Sequence, residues 1–194
     1  MELIMTKDQL RKEYKKRRNA LNLQEKASFD QQIFEHLKHI DWSSYNYIHV
    51  YLSMQKFNEP DTAEFITWLR KYYPEMNLVI SKSDFVTGEM HNYVLNNSTV
   101  LAENNWGILE PLNGELVEEE KIDFVLVPLL VVDFEGNRVG YGKGFYDRFL
   151  TKCREDVKCY GISYFDPVEK ITDVGEWDVK LDGCITPNSV YAFS

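Results

Sequence analysis

Apolar positions recur along the chain at two different periods, and each change of period marks a predicted element. Leu3, Leu10, Tyr14 and Leu21 fall at four- and seven-residue steps, the buried stripe of an amphipathic first helix. Thr6-x-x-Gln9 has the form of a capping box at its start, and Lys7, Arg11 and Arg18 share another face. A second helix is predicted from about Gln24 to Ile40, with Ile33, Phe34, Leu37 and Ile40 inward. At 46–52 (NYIHVYL) the pattern shortens to alternation in β-branched and aromatic residues, which predicts a strand.

Glu59-Pro60-Asp61-Thr62 then leads into a helix with Phe65, Ile66 and Leu69 facing inward, and Asn77 to Ser81 form the next strand of a β-α-β unit. Phe85 to Leu95 suggest a hairpin turning at Thr87-Gly88, and Trp106 to Pro111 an irregular crossing segment. The run at 122–128 (IDFVLVP) is almost continuously apolar, as expected of a strand buried on both faces at the centre of a sheet. A polar glycine-rich loop from Asp133 to Gly144 follows, then a helix from Phe145 to about Cys153, a strand from Lys158 to Ser163 and a last short strand around Gly183 to Thr186. These elements predict an α/β fold over residues 1–194: a single three-layer domain with a mostly parallel or mixed central sheet.

A length of 194 residues suits one such core, and a hydrophobic fraction of 44% excludes disorder over most of it. The longest apolar stretch, Phe124 to Val132, is interrupted by Pro128 and is far short of the ~20 residues of a membrane helix. The N-terminus reaches Lys7 and Asp8 too early for a secretory signal, so a cytoplasmic setting is expected. Cys153, Cys159 and Cys184 form no CxxC pair and are expected as free thiols, and His36 and His39 as a surface pair. The net charge is −9, yet residues 1–20 carry seven Lys/Arg against three acids. An anionic ligand of so acidic a protein needs a local positive field of this kind, while general nucleic-acid affinity is disfavoured.

Candidate chemistry concentrates in Gly136 to Leu150, GNRVGYGKGFYDRFL. Gly136, Gly140, Gly142 and Gly144 let backbone N–H groups turn toward one concavity at the positive end of the following helix, and Arg138 and Lys143 add formal charge. Such a loop can cradle phosphates or serve as a tight connection; neither a Walker-A spacing nor a clean GxGxxG is present.

The stretch VPLLVVDFEGNRVGYGKGFYDRFL resembles the signature of the 5-formyltetrahydrofolate cyclo-ligases. Lys7-x-x-Leu10-Arg11, YLSMQKFNEPDT at 51–62, WGILEP at 106–111 and Asp178-x-x-x-Asp182 followed by Ile185-Thr186 agree in order, so the resemblance spans nearly the whole chain. It departs at Val131-Val132 and at Pro187. The resemblance implies conversion of 5-formyltetrahydrofolate to 5,10-methenyltetrahydrofolate with ATP as co-substrate and Mg²⁺ as cofactor, by a monomer with no nucleic-acid or membrane partner. It implies Lys7, Arg138 and Tyr146 as catalytic. The nucleotide would meet Lys7, Arg11 and the loop residues Gly136, Asn137, Arg138, Val139, Gly140, Tyr141, Gly142, Lys143, Gly144, Phe145 and Tyr146. Leu52, Glu59, Trp106 and Tyr146 would contact the folate, and Asp147 and Asp178 would hold magnesium. Competing functions are a nucleotide- or folate-binding module without turnover, which Asp147 and Asp178 argue against, and an RNA-binding protein using the basic helix. The acidic remainder and the lack of an aromatic-rich RNP-like strand argue against the second.

Overall fold

A computed structural model describes residues 4–105 and 107–193. In chain order the elements are β1 (Ile4–Met5), α1 (Lys7–Ala20), α2 (Leu23–Lys38), β2 (Tyr47–His49), α3 (Ala63–Tyr72), β3 (Asn77–Ser83), β4 (Met90–Val94), β5 (Leu101–Glu103), β6 (Leu109–Pro111), β7 (Leu116–Val117) and β8 (Phe124–Pro128). There follow β9 (Val131–Val132), β10 (Arg138–Val139), α4 (Phe145–Leu150), β11 (Lys158–Ile162), β12 (Lys170–Ile171), β13 (Gly183–Ile185) and β14 (Val190–Ala192).

The main sheet has eight strands in the order β14-β13-β11-β8-β2-β3-β4-β7. Its five inner strands, from β13 to β3, are mutually parallel; β14 and β4 run antiparallel to them at either margin, and β7 antiparallel to β4. The sheet is therefore mixed, as expected. Strand β8 sits inside it because both its faces are apolar. Phe124 and Leu126 pack with α2 and α3 through Leu37, Phe65 and Leu69, while Val125 and Val127 pack on the opposite face with Phe149 and Leu150 of α4. Helices on both faces make the three layers. A further cluster lays Leu10 and Tyr14 of α1 on Leu130, Val131, Val139 and Ile171, fixing the basic helix beside the β9–β10 hairpin. The capping box of Thr6 and Gln9 forms as expected. Asn22 and Glu25 form a second one, so α2 begins at Leu23, ahead of the expected Gln24.

Several expectations change. The strand expected over 46–52 is regular only at Tyr47–His49, after which the chain leaves the sheet toward the cavity described below. The hairpin at 85–95 has β3 as its first arm: Asp84 takes the N–H groups of Val86 and Thr87 on its side chain, so Phe85 to Gly88 belong to the turn. Leu109–Pro111 of the supposedly irregular crossing pairs with β5. The helix expected to reach Cys153 ends at Leu150, followed by a turn. Arg18, placed with Lys7 and Arg11 by periodicity, is 3% exposed and donates to the Leu129 carbonyl and the Tyr141 hydroxyl. Leu3 and Trp106 lie outside the described residues.

Candidate active site

Strand β2 leads through α3 to β3 on one side, whereas its neighbour β8 leads through α4 to β11 on the other. At such a reversal the loops leaving the carboxyl ends of adjacent strands diverge and leave a crevice. A cavity of about 620 Å³ lies there, lined by Val50 to Leu52 after β2, Ser81 and Ser83 of β3, Pro128 of β8 and the loop from Gly140 to Tyr146.

The basic helix forms another wall. Lys7, Arg11 and Lys15 are four residues apart, so one stripe of α1 faces the cavity. With Lys56, Arg138 and Lys143 they set six cations against the carboxylates of Glu59, Asp147 and Asp178 in a protein of net charge −9. The site supplies the positive field that the rest of the surface denies an anion. Burial, reinforced by Arg11 and Arg18, lowers the Lys15 pKa. Arg11 Nε donates to the Gly140 carbonyl at 3.0 Å, which ties α1 to the loop.

The loop's N–H groups at Gly140 to Gly144 make no backbone hydrogen bond among the described residues, leaving them free for an acceptor. Gly142 (φ +84°) and Gly144 (φ +68°) adopt the left-handed conformation, and a Cβ on Gly142 would stand 3.2 Å from the Arg11 guanidinium carbon. The helix contributes less than anticipated, because α4 has only six residues and no side-chain cap. Arg148 replaces it as an organiser, donating to the Lys143 carbonyl (2.9 Å) and to Gly88 (2.7 Å) in the β3–β4 turn.

Not all of the predicted loop reaches the cavity. Gly136, Asn137 and Val139 do not line it. Gly136 makes the β9–β10 turn, Asn137 donates its amide to the Asp133 carboxylate at 2.9 Å, and Val139 packs beneath α1. Arg138 does line it, held by the Asp147 carboxylate (2.6 Å) and the Val179 carbonyl. Asp178 accepts from Lys7 and from the Gly175 N–H. Each aspartate thus uses one oxygen; Asp147 Oδ2 and Asp178 Oδ1 make no hydrogen bond among the described residues.

Glu59 is 2% exposed. Its Oε2 accepts the Met54 N–H at 2.8 Å and its Oε1 is buried without a hydrogen bond among the described residues. Burial raises its pKa, opposed by the Met54 N–H, Arg18 and the Tyr141 hydroxyl beside it. Burial, with Glu59 nearby, likewise holds the Tyr146 phenol well above its ordinary range and keeps it protonated. Leu52 and Phe145 line the same space.

The pattern described as the 5-formyltetrahydrofolate cyclo-ligase family matches residues 4–187. The chain belongs to that family. It is 27% identical over 193 residues to mouse 5-formyltetrahydrofolate cyclo-ligase, covering 93% of each chain. A solved 5,10-methenyltetrahydrofolate synthetase from Aquifex aeolicus is 28% identical, with a TM-score of 0.82 over 97% of this chain and 93% of that one. A synthetase from Mycoplasma pneumoniae shares the fold at 24% identity, with a TM-score of 0.72 over 93% of this chain and 98% of that one.

The cavity contains residues that sequence reasoning passed over. Lys15 was legible from its four-residue spacing after Lys7 and Arg11. His49, a lone polar side chain inside an apolar strand, carried a weaker signal, and Ser81 carried none. Among the described residues no helix is long and apolar enough to cross a membrane.

Proposed function

We propose that the protein closes 5-formyltetrahydrofolate to 5,10-methenyltetrahydrofolate with conversion of ATP to ADP and phosphate. The observation that carries this reading is one cavity in which a cationic, glycine-lined wall faces a buried, half-satisfied carboxylate. The first suits a polyphosphate. The second suits a flat heterocycle with adjacent N–H donors, such as the pterin edge, which Glu59 would orient.

The N5-formyl group is an amide, and N10 cannot expel its oxygen directly. Transfer of the ATP γ-phosphoryl to that oxygen breaks the β–γ bridge, releases ADP and converts the oxygen into part of a phosphate leaving group. N10 then attacks the formyl carbon, loses its proton, and the C–O bond breaks to release phosphate and the methenyl bridge. Such a transfer asks mainly for alignment and charge neutralisation. Lys7 and Arg11 from α1, and Arg138 and Lys143 from the loop, would meet the phosphates, with free N–H groups of residues 140–144 beside them. The protonated Tyr146 would donate to the substrate from the shared wall, and Leu52 and Phe145 would pack its rings. Asp147 and Asp178 suit magnesium as hard oxygen donors, each with a spare oxygen, and the ion would supply further neutralisation of phosphate charge.

The test is incubation with 5-formyltetrahydrofolate, ATP and magnesium, following the ultraviolet band of the conjugated methenyl product and the released phosphate. One phosphate per product is expected; product formed without ATP consumption overturns the phosphorylation mechanism.

A further inference from the structure

Tyr141 spans two parts of the cavity that suit different ligands. Its backbone lies between Gly140 and Gly142, in the loop whose N–H groups make no backbone hydrogen bond among the described residues. Its ring packs on Phe57 (centroids 5.2 Å apart), with Lys15 Nζ 5.3 Å from the ring centre. Its hydroxyl accepts from Arg18 and stands beside the Glu59 carboxylate. Tyr141, Phe57 and Glu59 all line the cavity. One residue thus has its main chain at the cationic, glycine-lined wall and its phenol at the buried carboxylate.

Arg18 gives this contact its direction. A guanidinium has donors only, so the Tyr141 oxygen accepts from it and the phenolic proton is left to give. Burial, with Glu59 nearby, holds the phenol well above its ordinary range, so that proton is present. Arg18 is 3% exposed, and among the described residues its hydrogen-bond partners are neutral: the Leu129 carbonyl (3.3 Å) and the Tyr141 hydroxyl. A buried cation needs compensation, and the line from Arg18 through Tyr141 to Glu59 directs it toward an anion.

The two ends of this line are held differently. Glu59 stands on a closed turn, where its Oε2 takes the Met54 N–H and the left-handed Asn58 (φ +48°) bends the chain just before it. The loop of Tyr141 is tied from outside, through Arg11 to Gly140 and Arg148 to Lys143, and its own N–H groups remain for a bound acceptor. Phosphates that engage those groups also fix where the phenol stands.

We propose that Tyr141 is a positioning residue that couples the two ligands: phosphates bound by the loop hold its hydroxyl against Glu59, and Glu59 so braced orients the pterin edge. A carboxylate has lone pairs enough to accept from the phenol and from pterin N–H groups together. The coupling rests on the ATP and folate reading above and deepens it. By linkage it is reciprocal, so each ligand tightens the other by one common factor.

Calorimetry of 5-formyltetrahydrofolate binding in the presence of magnesium, with and without the non-hydrolysable β,γ-methylene analogue of ATP, reads that factor. In wild type the analogue should lower the folate Kd about tenfold, and folate should lower the analogue's Kd equally. Tyr141→Phe keeps the ring on Phe57 and removes only the hydroxyl; the factor should fall below about twofold in both directions. A merely structural tyrosine would weaken each ligand, alone and together, and leave the factor at its wild-type value, which overturns the proposal. Wild-type protein that binds both ligands independently overturns it without recourse to any variant, and leaves the ATP and folate reading standing. Wild-type protein that fails to bind 5-formyltetrahydrofolate or the analogue removes that reading itself, and the coupling with it.

Discussion

A carboxylate that is 2% exposed, with one oxygen on the Met54 N–H and the Tyr141 hydroxyl nearby, gives Glu59 two separable properties. The first is recognition. Glu59→Gln keeps the shape but leaves one acceptor in place of two, so the KM for 5-formyltetrahydrofolate should rise at least about tenfold while ATP affinity stays nearly unchanged. Equal loss for both ligands would point to a general disturbance of the cavity. The second is a pH signature. Burial raises the pKa of Glu59, so the folded state binds its proton more tightly than the unfolded state does. The resulting stabilisation is full below the unfolded pKa and is lost as pH rises through the folded one. Glutamine does not titrate; relative to wild type, Glu59→Gln should therefore gain stability in urea unfolding as pH rises above the ordinary glutamate range. A difference independent of pH would mean that Arg18, the Met54 N–H and the Tyr141 hydroxyl balance burial.

Among the elements, the glycine loop depends on ties from outside it. A six-residue helix supplies little dipole, and the loop is instead bound to α1 through Arg11 and to the β3–β4 turn through Arg148. Arg148 is exposed and does not line the cavity, so its removal should act through loop geometry alone. Arg148→Ala is expected to raise the KM for ATP about fivefold, equivalent to ~1 kcal/mol, and to speed proteolytic cleavage within 140–144, with thermal stability little changed. An unchanged KM for ATP would mean that the link to Arg11 suffices.

Across the whole molecule, the site exists because three distant segments meet. Lys7 and Asp178 are separated by 171 positions and Arg138 and Val179 by 41, yet all border the region where the two halves of the sheet diverge. Asp147 and Asp178 each neutralise a cation and keep one oxygen unengaged among the described residues. If they also hold magnesium, Asp147→Asn and Asp178→Asn should each raise the free magnesium needed for half-maximal turnover, because each swaps an anionic oxygen beside a dication for a neutral one. Turnover curves that superimpose on wild type after scaling to maximal rate would reduce the two aspartates to partners of Arg138 and Lys7.

Local patterns determined much of this protein. Side-chain periodicity located α1, α2 and α3, the unbroken apolar run located the central strand, and the spacing of glycine and charge in 136–150 marked the loop, because each signal is complete within a few turns of chain. Partnership across the sheet was decided only in three dimensions. Nothing in the sequence near Arg18 shows that it is drawn inward to Leu129 and Tyr141 instead of joining Lys7 and Arg11 at the cavity. The same holds for Gly136, Asn137 and Val139, which share the loop's composition but are spent on a hairpin turn and the packing under α1. His49, Ser81 and Asn92 are unremarkable in three separate strands; strand register alone puts them on one face, where Ser81 Oγ lies 2.7 Å from both His49 Nε2 and Asn92 Oδ1.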